Sequence, residues 1–447
     1  MMVSPIVIRK TRTTAKTESD FSFVKEQMGL SGLPGFMVNL KERAWDYFSQ
    51  ASIPTIKDDA WKRTDLKNFE AGIFRIPEKG EYLKLTPVPS DLLTPFDKEE
   101  NDGQVILMPG GSINRLNPDL KEKGVIFSDL VTALKDHPVV VEKIISQIVK
   151  PTEGKFSALS FALASNGIVL YIPRNVVIDK PLHSILWGPG NNLAHLSNLV
   201  IWLEEGASVT YIHEAASPNE TSGSAMHAGN VELNVGPAAT LRFVELQSWG
   251  TNVWNFCHER ARVEQDGNLE WIFGAIGSRL TKNFTDLDLV GSGSTGKMSG
   301  FYFTDGKQHL DHDTQQNHMA PHTTSDLLFK GALLGESRSV WQGMIYVAPN
   351  AMKTDGYQAN RNLILSDGAR ADSIPGLEIL ADDVRCTHGA TVGKLDQEQV
   401  FYLKSRGIPE REANQLIVEG FFDQIMQRIP IEGVKNRFQK SIHDKMK

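Results

Sequence analysis

Glu205-Gly206-Ala207-Ser208-Val209, Val235-Gly236-Pro237-Ala238-Ala239-Thr240-Leu241 and Asp266-Gly267-Asn268-Leu269 are three versions of one phrase. Each has a turn glycine, small or polar residues, and an apolar entry into a strand. Gly296 extends the series, so the glycines stand 30, 31 and 29 residues apart, and Gly368 in Ser366-Asp367-Gly368-Ala369-Arg370 reads as a later member. Between them lie short alternating runs: Val231-Glu232-Leu233-Asn234-Val235, Leu241-Arg242-Phe243 and Asp286-Leu287-Asp288-Leu289. A period of two is the signature of a half-buried strand. No helical pattern intervenes from about Phe156 to Val392. Degenerate repeats of this length predict a stacked β-solenoid, in which each coil buries its inward side chains against the next. A β-sandwich is the competing fold, but the region is long for a single one. An open stack exposes its end strands, so capping elements are expected on both sides.

Helical signals flank the repeats. Pro34-Gly35 precedes Phe36, Leu40, Ala44, Tyr47 and Phe48, spaced mostly three or four apart, and Ile53-Pro54 ends that helix. Ile76 to Phe96 carries Pro77, Pro87, Pro89 and Pro95 and reads as irregular. A small α/β segment follows, strand-like at Val105–Met108 and helix-like from Phe127 to Val149. Beyond the repeats, Asp396 can cap a helix through Tyr402 and Leu403 that Gly407 ends. Pro409, with Glu410 and Glu412 in the first turn, starts a second. Its stripe of Ala413, Leu416, Ile417, Gly420, Phe421 and Ile425 is helically spaced, Pro430 ends it, and Ile431 to Lys447 can form a third. The expected organisation is a helical and small α/β region over 1–155, a solenoid over 156–392 and a helical domain over 393–447.

The 447 residues imply two or three domains, and 40% hydrophobic with 23% charged residues can bury a sizeable core. A net charge of −7 gives no global field for nucleic acid or an anionic membrane. No run of about 18 apolar residues is present to cross a bilayer. Met1 to Lys16 is basic and Thr-rich without an apolar core, which fits a frayed tail, with a transit peptide as the other reading. Cys257 and Cys386 are expected to be free thiols in a reducing compartment, Cys257 as a small buried hydrophobe.

Four motifs carry candidate chemistry. Gly291-Ser-Gly-Ser-Thr-Gly296-Lys297 resembles the opening of a phosphate loop, but Met298 stands where Ser or Thr would hold magnesium. A strand-like run follows where a helix is needed, so no nucleotide is expected on this chain. His309, Asp311, His312, Asp313, His318 and His322 are dense in metal-ligand types without a standard spacing. Hydrogen-bonded surface or interface histidines explain that run better than a metal site does. Cys386 and His388 sit two apart, so on a strand both project from one face and can reach one metal. Thiolate plus imidazole suits iron–sulfur species or zinc, yet two donors cannot complete a four-ligand site, and on sequence alone such a pair is more often one buried thiol beside an unrelated histidine. The tail stripe, like most apolar stripes, would pack on its own domain; with Phe421 and Phe422, if exposed, it would offer a docking surface.

Lys353-Thr-Asp355-Gly-Tyr357-Gln358-Ala-Asn360-Arg361-Asn-Leu363, Leu377-Glu378-Ile379, Ala381-Asp382-Asp383-Val384, Cys386-Thr-His388-Gly389-Ala-Thr-Val-Gly393 and Phe401-Tyr-Leu403…Ser405-Arg406-Gly407-Ile408 closely resemble the SufB/SufD family of the SUF iron–sulfur cluster assembly system. The likeness covers roughly the C-terminal two-thirds. Trp61-Lys62-Arg63-Thr64-Asp65-Leu66 and the Cys-x-His-Gly motif are similar to the SufD branch. The resemblance implies a mainly β protein with a right-handed parallel β-helix core between helical N- and C-terminal domains. It implies a non-enzymatic, cytoplasmic scaffold (plastid, if Met1 to Lys16 is a transit peptide). Its partners would be a SufB-like paralogue through the core and a SufC-like ATPase through the tail helices, with Leu403, Arg406, Leu416, Ile417, Gly420 and Phe421 at that dock. A homodimer in isolation is left open. His388, with Cys386 beside it, would hold a transient iron–sulfur cluster shared with the partner subunit. Two other functions compete. One is a secreted polysaccharide-active β-helix using Asp286, Asp288, Asp311 and Asp313 as carboxylates. The other is a structural partner that contributes no ligand.

Overall fold

The computed structural model describes residues 20–94, 101–220, 222–429 and 431–447; Met1 to Lys16, Pro95, Phe96 and Pro430 lie outside the described residues. The strands fall into one sheet of ten and one of nine. A strand's parallel neighbour is the next but one in sequence. Val253–Val263 pairs with Ala225–Val235 before it and Leu280–Leu289 after it. That order requires the chain to lay one strand in each sheet per turn, giving a mainly β solenoid of about 8 turns with helices at both ends. Ser208, Thr240, Asn268, Thr295, Thr324, Asp355 and Arg385 succeed one another in one register column, so the coils are 27 to 32 residues long.

The repeats work as the glycine spacing suggests. Gly206 sits at φ +67°, and a Cβ there would lie 2.4 Å from Asn175 Oδ1, so only glycine fits that tight stacked turn. Gly296 is the exception. It lies inside the strand Thr295–Thr304, and Gly293 (φ +74°) makes the turn. The same strand begins where a phosphate-binding helix would have to begin, so the glycine-rich run is a solenoid turn. Inward residues stack in columns, with Tyr211 on Phe243 (ring centroids 5.7 Å) and Phe243 on Trp271 (5.6 Å). Cys257 is buried as expected, and both cysteines are free thiols.

Both sheets reach back before residue 156. Gly103–Met108 pairs in parallel with Leu182–Trp187, and Gly111–Leu116 folds antiparallel onto it. The region expected to be helical from Phe127 to Val149 instead gives the strand Ile126–Asp129 and two short helices, Leu130–Asp136 and Pro138–Ile144, because Asp129 caps the first and Pro138 interrupts. Asn114 and Asp129 tie the two outermost strands together: Asp129 N donates to Asn114 Oδ1 (2.9 Å), and Asn114 Nδ2 donates to Asp129 Oδ2. This end of the stack finishes on two antiparallel strands, Gly111–Leu116 and Ile126–Asp129, joined by a side-chain tie.

Helices cover both outer faces. Gly35–Gln50 and Lys155–Leu163 lie over the nine-stranded sheet, where Phe156 stacks on Phe256 at 3.8 Å. Each helix satisfies the other's last carbonyls. Lys41 Nζ donates to Ala162 O (3.0 Å) and Ala164 O (2.9 Å), and Lys155 Nζ to Phe48 O (3.2 Å) and Ala51 O (2.7 Å). Three tail helices, Gln397–Ser405, Glu410–Met426 and Glu432–Lys445, fold back towards the ten-stranded sheet. Val418, Phe422, Ile425, Val434, Phe438 and Ile442 bury against Ile212, Val244, Ile272, Phe301 and Leu328.

The lumen contains a carboxyl pair. Thr285 Oγ1 donates to Glu259 Oε2 (2.9 Å) and Trp271 Nε1 to Glu245 Oε2 (3.2 Å). Burial pushes Glu259 up to about 7 and Glu245 well above the usual carboxylate range, the Glu259 charge adding to the latter. A carboxyl whose folded value is raised favours the folded state at acid pH, below about 4.5, and that stability is lost as pH rises through about 7. Glu259→Gln is therefore expected to raise stability at pH 8, by up to about 3 kcal/mol, and to leave it nearly unchanged at pH 4.5. Thermal unfolding at the two pH values checks this; equal effects at both would dismiss the titration.

Candidate functional site

The far end of the stack finishes on parallel strands instead. Arg370–Ile379 and Arg385–Lys394 are the outermost strands of their sheets, and no described strand pairs beyond them. Arg385–Lys394 is bonded only to Asp355–Ile364, which sets Cys386 against Gly356 and His388 against Gln358. Gly356 and Gln358 are buried in the lumenal row, so Cys386 and His388 belong to that row too, at its open mouth. The thiol confirms the direction: a Cβ on Gly356 would lie 3.3 Å from Cys386 Sγ, His318 Nε2 and Ile345 Cγ2 alike.

The two donors have unequal surroundings. Cys386 is half-buried beside Ile345, Val347 and Ala351. Burial pushes its thiol up, the Gly356 N–H opposes the shift, and the Asp355 carboxylate adds to it. As it stands it is a thiol rather than a thiolate, so it gains ligand strength only when a metal displaces its proton. His388 is exposed and forms no hydrogen bond or ion pair with a described residue. Around them the rim exposes Leu380 (51%), Val392 (49%) and Tyr357, flanked by the ion pairs Lys353–Asp383 (2.5 Å) and Arg385–Asp355 (3.5 Å). An apolar rim over unpaired strand edges is a surface made to be covered. Among the described residues, no group of three or more His, Cys, Asp or Glu side chains is arranged to hold a metal ion.

The other candidates separate on inspection. The histidine run does not converge: His322 is exposed and His309 partly exposed, whereas His312 and His318 are buried. His312 packs among Phe273, Tyr302 and Phe329 in the lumen. His318 is bound by Thr323 (2.7 Å) and Ser325 (2.8 Å), and His309 by Thr64 (2.9 Å). The carboxylates proposed for a polysaccharide site are engaged: Asp286 pairs with Arg260 at 2.5 Å, Asp288 accepts from Asn317, and Asp311 is buried against Lys282.

In the tail, Ala413 and Ile425 of the expected stripe are buried, but the rest of the buried face is Val418, Phe422 and Met426 in place of Leu416, Ile417, Gly420 and Phe421. Phe422 is fully buried and offers no docking surface, while Phe421 is half-covered, with Lys330 Nζ 5.1 Å from its ring. Leu416 is 48% exposed, Gly420 and Arg406 are exposed, and Leu403 and Ile417 are intermediate. Sequence reasoning left out the two most prominent groups there, Phe401 (73% exposed) and Tyr402 (57%), which lie on a helix whose one buried residue is Val400. Adjacent aromatics beside a single core anchor were the available signal.

The comparisons with known proteins agree with this architecture. A family model described as "SUF system FeS cluster assembly, SufBD core domain" matches residues 187–421, and one described as "SufBD protein N-terminal region" matches residues 25–183. A relative from Staphylococcus saprophyticus subsp. saprophyticus, named as an iron-sulfur cluster assembly SufBD family protein, is 29% identical over 420 residues. One of the same description from Staphylococcus haemolyticus is 28% identical over 420 residues. Each alignment covers 92% of this chain and 90% of the relative. The chain belongs to the SufB/SufD family of iron–sulfur cluster assembly proteins.

Proposed function

We propose that this chain is a SufD-type accessory subunit, a scaffold and not an enzyme. Its open solenoid end seats a SufB-type paralogue, and its tail docks a SufC-type ATPase. In this reading 156–392 is the pairing core and 393–447 the docking domain. The nascent cluster is cargo: His388 supplies an imidazole, Cys386 supplies a thiolate once metal arrives, and the paralogue completes the sphere. The observation that carries the reading is the asymmetry of the stack. One end finishes on antiparallel strands tied to each other through Asn114 and Asp129, whereas the other finishes on parallel strands with an apolar rim and two soft donors on its lumenal side.

His388→Ala is expected to leave the complex assembled and to reduce its reconstituted cluster by at least tenfold, about 1.4 kcal/mol or more of site stability. Cluster absorbance per purified complex reads it. An unchanged yield returns the chain to the role of a structural partner without a ligand.

A further inference from the structure

We propose that Gln358 is the positioning residue for His388: its side-chain oxygen accepts the imidazole N–H and so selects which ring nitrogen meets the cluster. The inference rests on the reading of His388 as a ligand. Gln358 is the register partner of His388 on the neighbouring strand. In a parallel ladder such partners stand about 4.8 Å apart with side chains on one face. Gln358 is fully buried and reaches across the lumen, where Nε2 donates to Gly376 O (2.9 Å) and Gly343 O (3.4 Å) of the opposite sheet. Two carbonyls on the nitrogen side fix the amide's orientation. The oxygen that remains is buried and has no hydrogen-bond partner.

That oxygen has a built place. A Cβ at Gly343 would lie 2.4 Å from it and 2.3 Å from Trp341 Cζ2, so only glycine leaves the amide room. A buried acceptor left without a donor is costly and rare. His388, one ladder step above and without a partner, carries the donor that would relieve it. A histidine that ligates metal usually donates its other N–H to a carbonyl or carboxylate, which locks tautomer and ring plane. The Gln358 amide is such a carbonyl, anchored by the opposite sheet. Trp341 Nε1 is also buried and unpaired, and its ring lies beside the same Gly343 position, so it is the rival donor.

Histidine-selective 15N labelling of the full chain tests this, with His388→Ala identifying the resonance. In the native chain at pH 8, His388 is expected to hold one tautomer. Gln358→Met should shift the tautomer ratio about fivefold towards that of a free imidazole, whereas Gln358→Glu, which keeps the acceptor, should preserve it. A native His388 with the tautomer mixture of a free imidazole overturns the proposal without any variant needing to fold. So does a Gln358→Met chain in which only the Trp341 indole signal moves. His388→Ala without loss of cluster defeats the ligand reading alone; an unresponsive tautomer beside a lost cluster defeats only the role of Gln358.

Discussion

Asp311→Leu is expected to destabilise the fold by about 3–5 kcal/mol, and Lys282→Met introduced beside it should restore most of that loss. Lys282 Nζ and Asp311 Oδ2 are 2.9 Å apart, and both side chains are completely inaccessible. They lie on adjacent strands of the nine-stranded sheet, beneath the N-terminal cover, where Thr64 Oγ1 donates to Asp311 and the ammonium lies 4.8 Å from the Phe284 ring. Removing the carboxylate alone leaves a cation in an apolar pocket with Phe284 and Trp61 around it. Removing both charges replaces the pair with apolar bulk that this pocket accepts, and such swaps are often neutral. Urea unfolding of the two single variants and the double one gives the coupling directly. A double variant as unstable as Asp311→Leu would locate the cost in the lost Thr64 contact and the seating of the N-terminal cover instead.

This pair also marks where the sequence stops being readable. Asp311 looked like a surface or catalytic carboxylate because its strand alternates, but alternation reports two faces without saying what covers the outer one. In Ala225–Val235 every residue is buried, since lumen and helices enclose both faces, and the period-two signal carries no contrast there. The solenoid was legible through its turns, where glycines recur at coil length whatever the burial. Gly296 shows the limit of that signal, because spacing alone could not tell it from Gly293. At the site, Cys386-x-His388 was legible as a same-face pair, which is local geometry. That its strand is the outermost of the stack, with the pair on the lumenal side, depends on where the coils end. His312 and His318 misled for the same reason, since inward and outward positions of one strand are alike in composition when the lumen itself is polar.

Phe422→Ala should cost about 3–5 kcal/mol of stability, while Leu416→Ala, six residues earlier on the same helix, should change it by no more than about 0.5 kcal/mol. Phe422 is fully buried, with Phe301 at 6.1 Å and Phe303 at 6.4 Å, and its loss opens a cavity between tail and sheet. Leu416 is 48% exposed, on the face turned away from that contact. The helix is apolar on more than one side, which is why its sequence suggested a stripe through Leu416 and Phe421 while the sheet took the one through Val418 and Phe422. The unused stripe, with Phe401 and Tyr402 on the preceding helix, is the surface we assign to the ATPase. Leu416→Ala combined with Phe401→Ala is therefore expected to weaken ATPase binding at least tenfold with the melting temperature unchanged, as loss of an aromatic anchor does at an interface. Titration calorimetry with the isolated ATPase, beside thermal unfolding, reads both quantities. Unimpaired binding by that pair would move the dock elsewhere. Deleting the whole tail could not decide it, because the same helices form the outer wall of the ten-stranded sheet and their removal would expose Ile212, Val244, Ile272 and Leu328 to water.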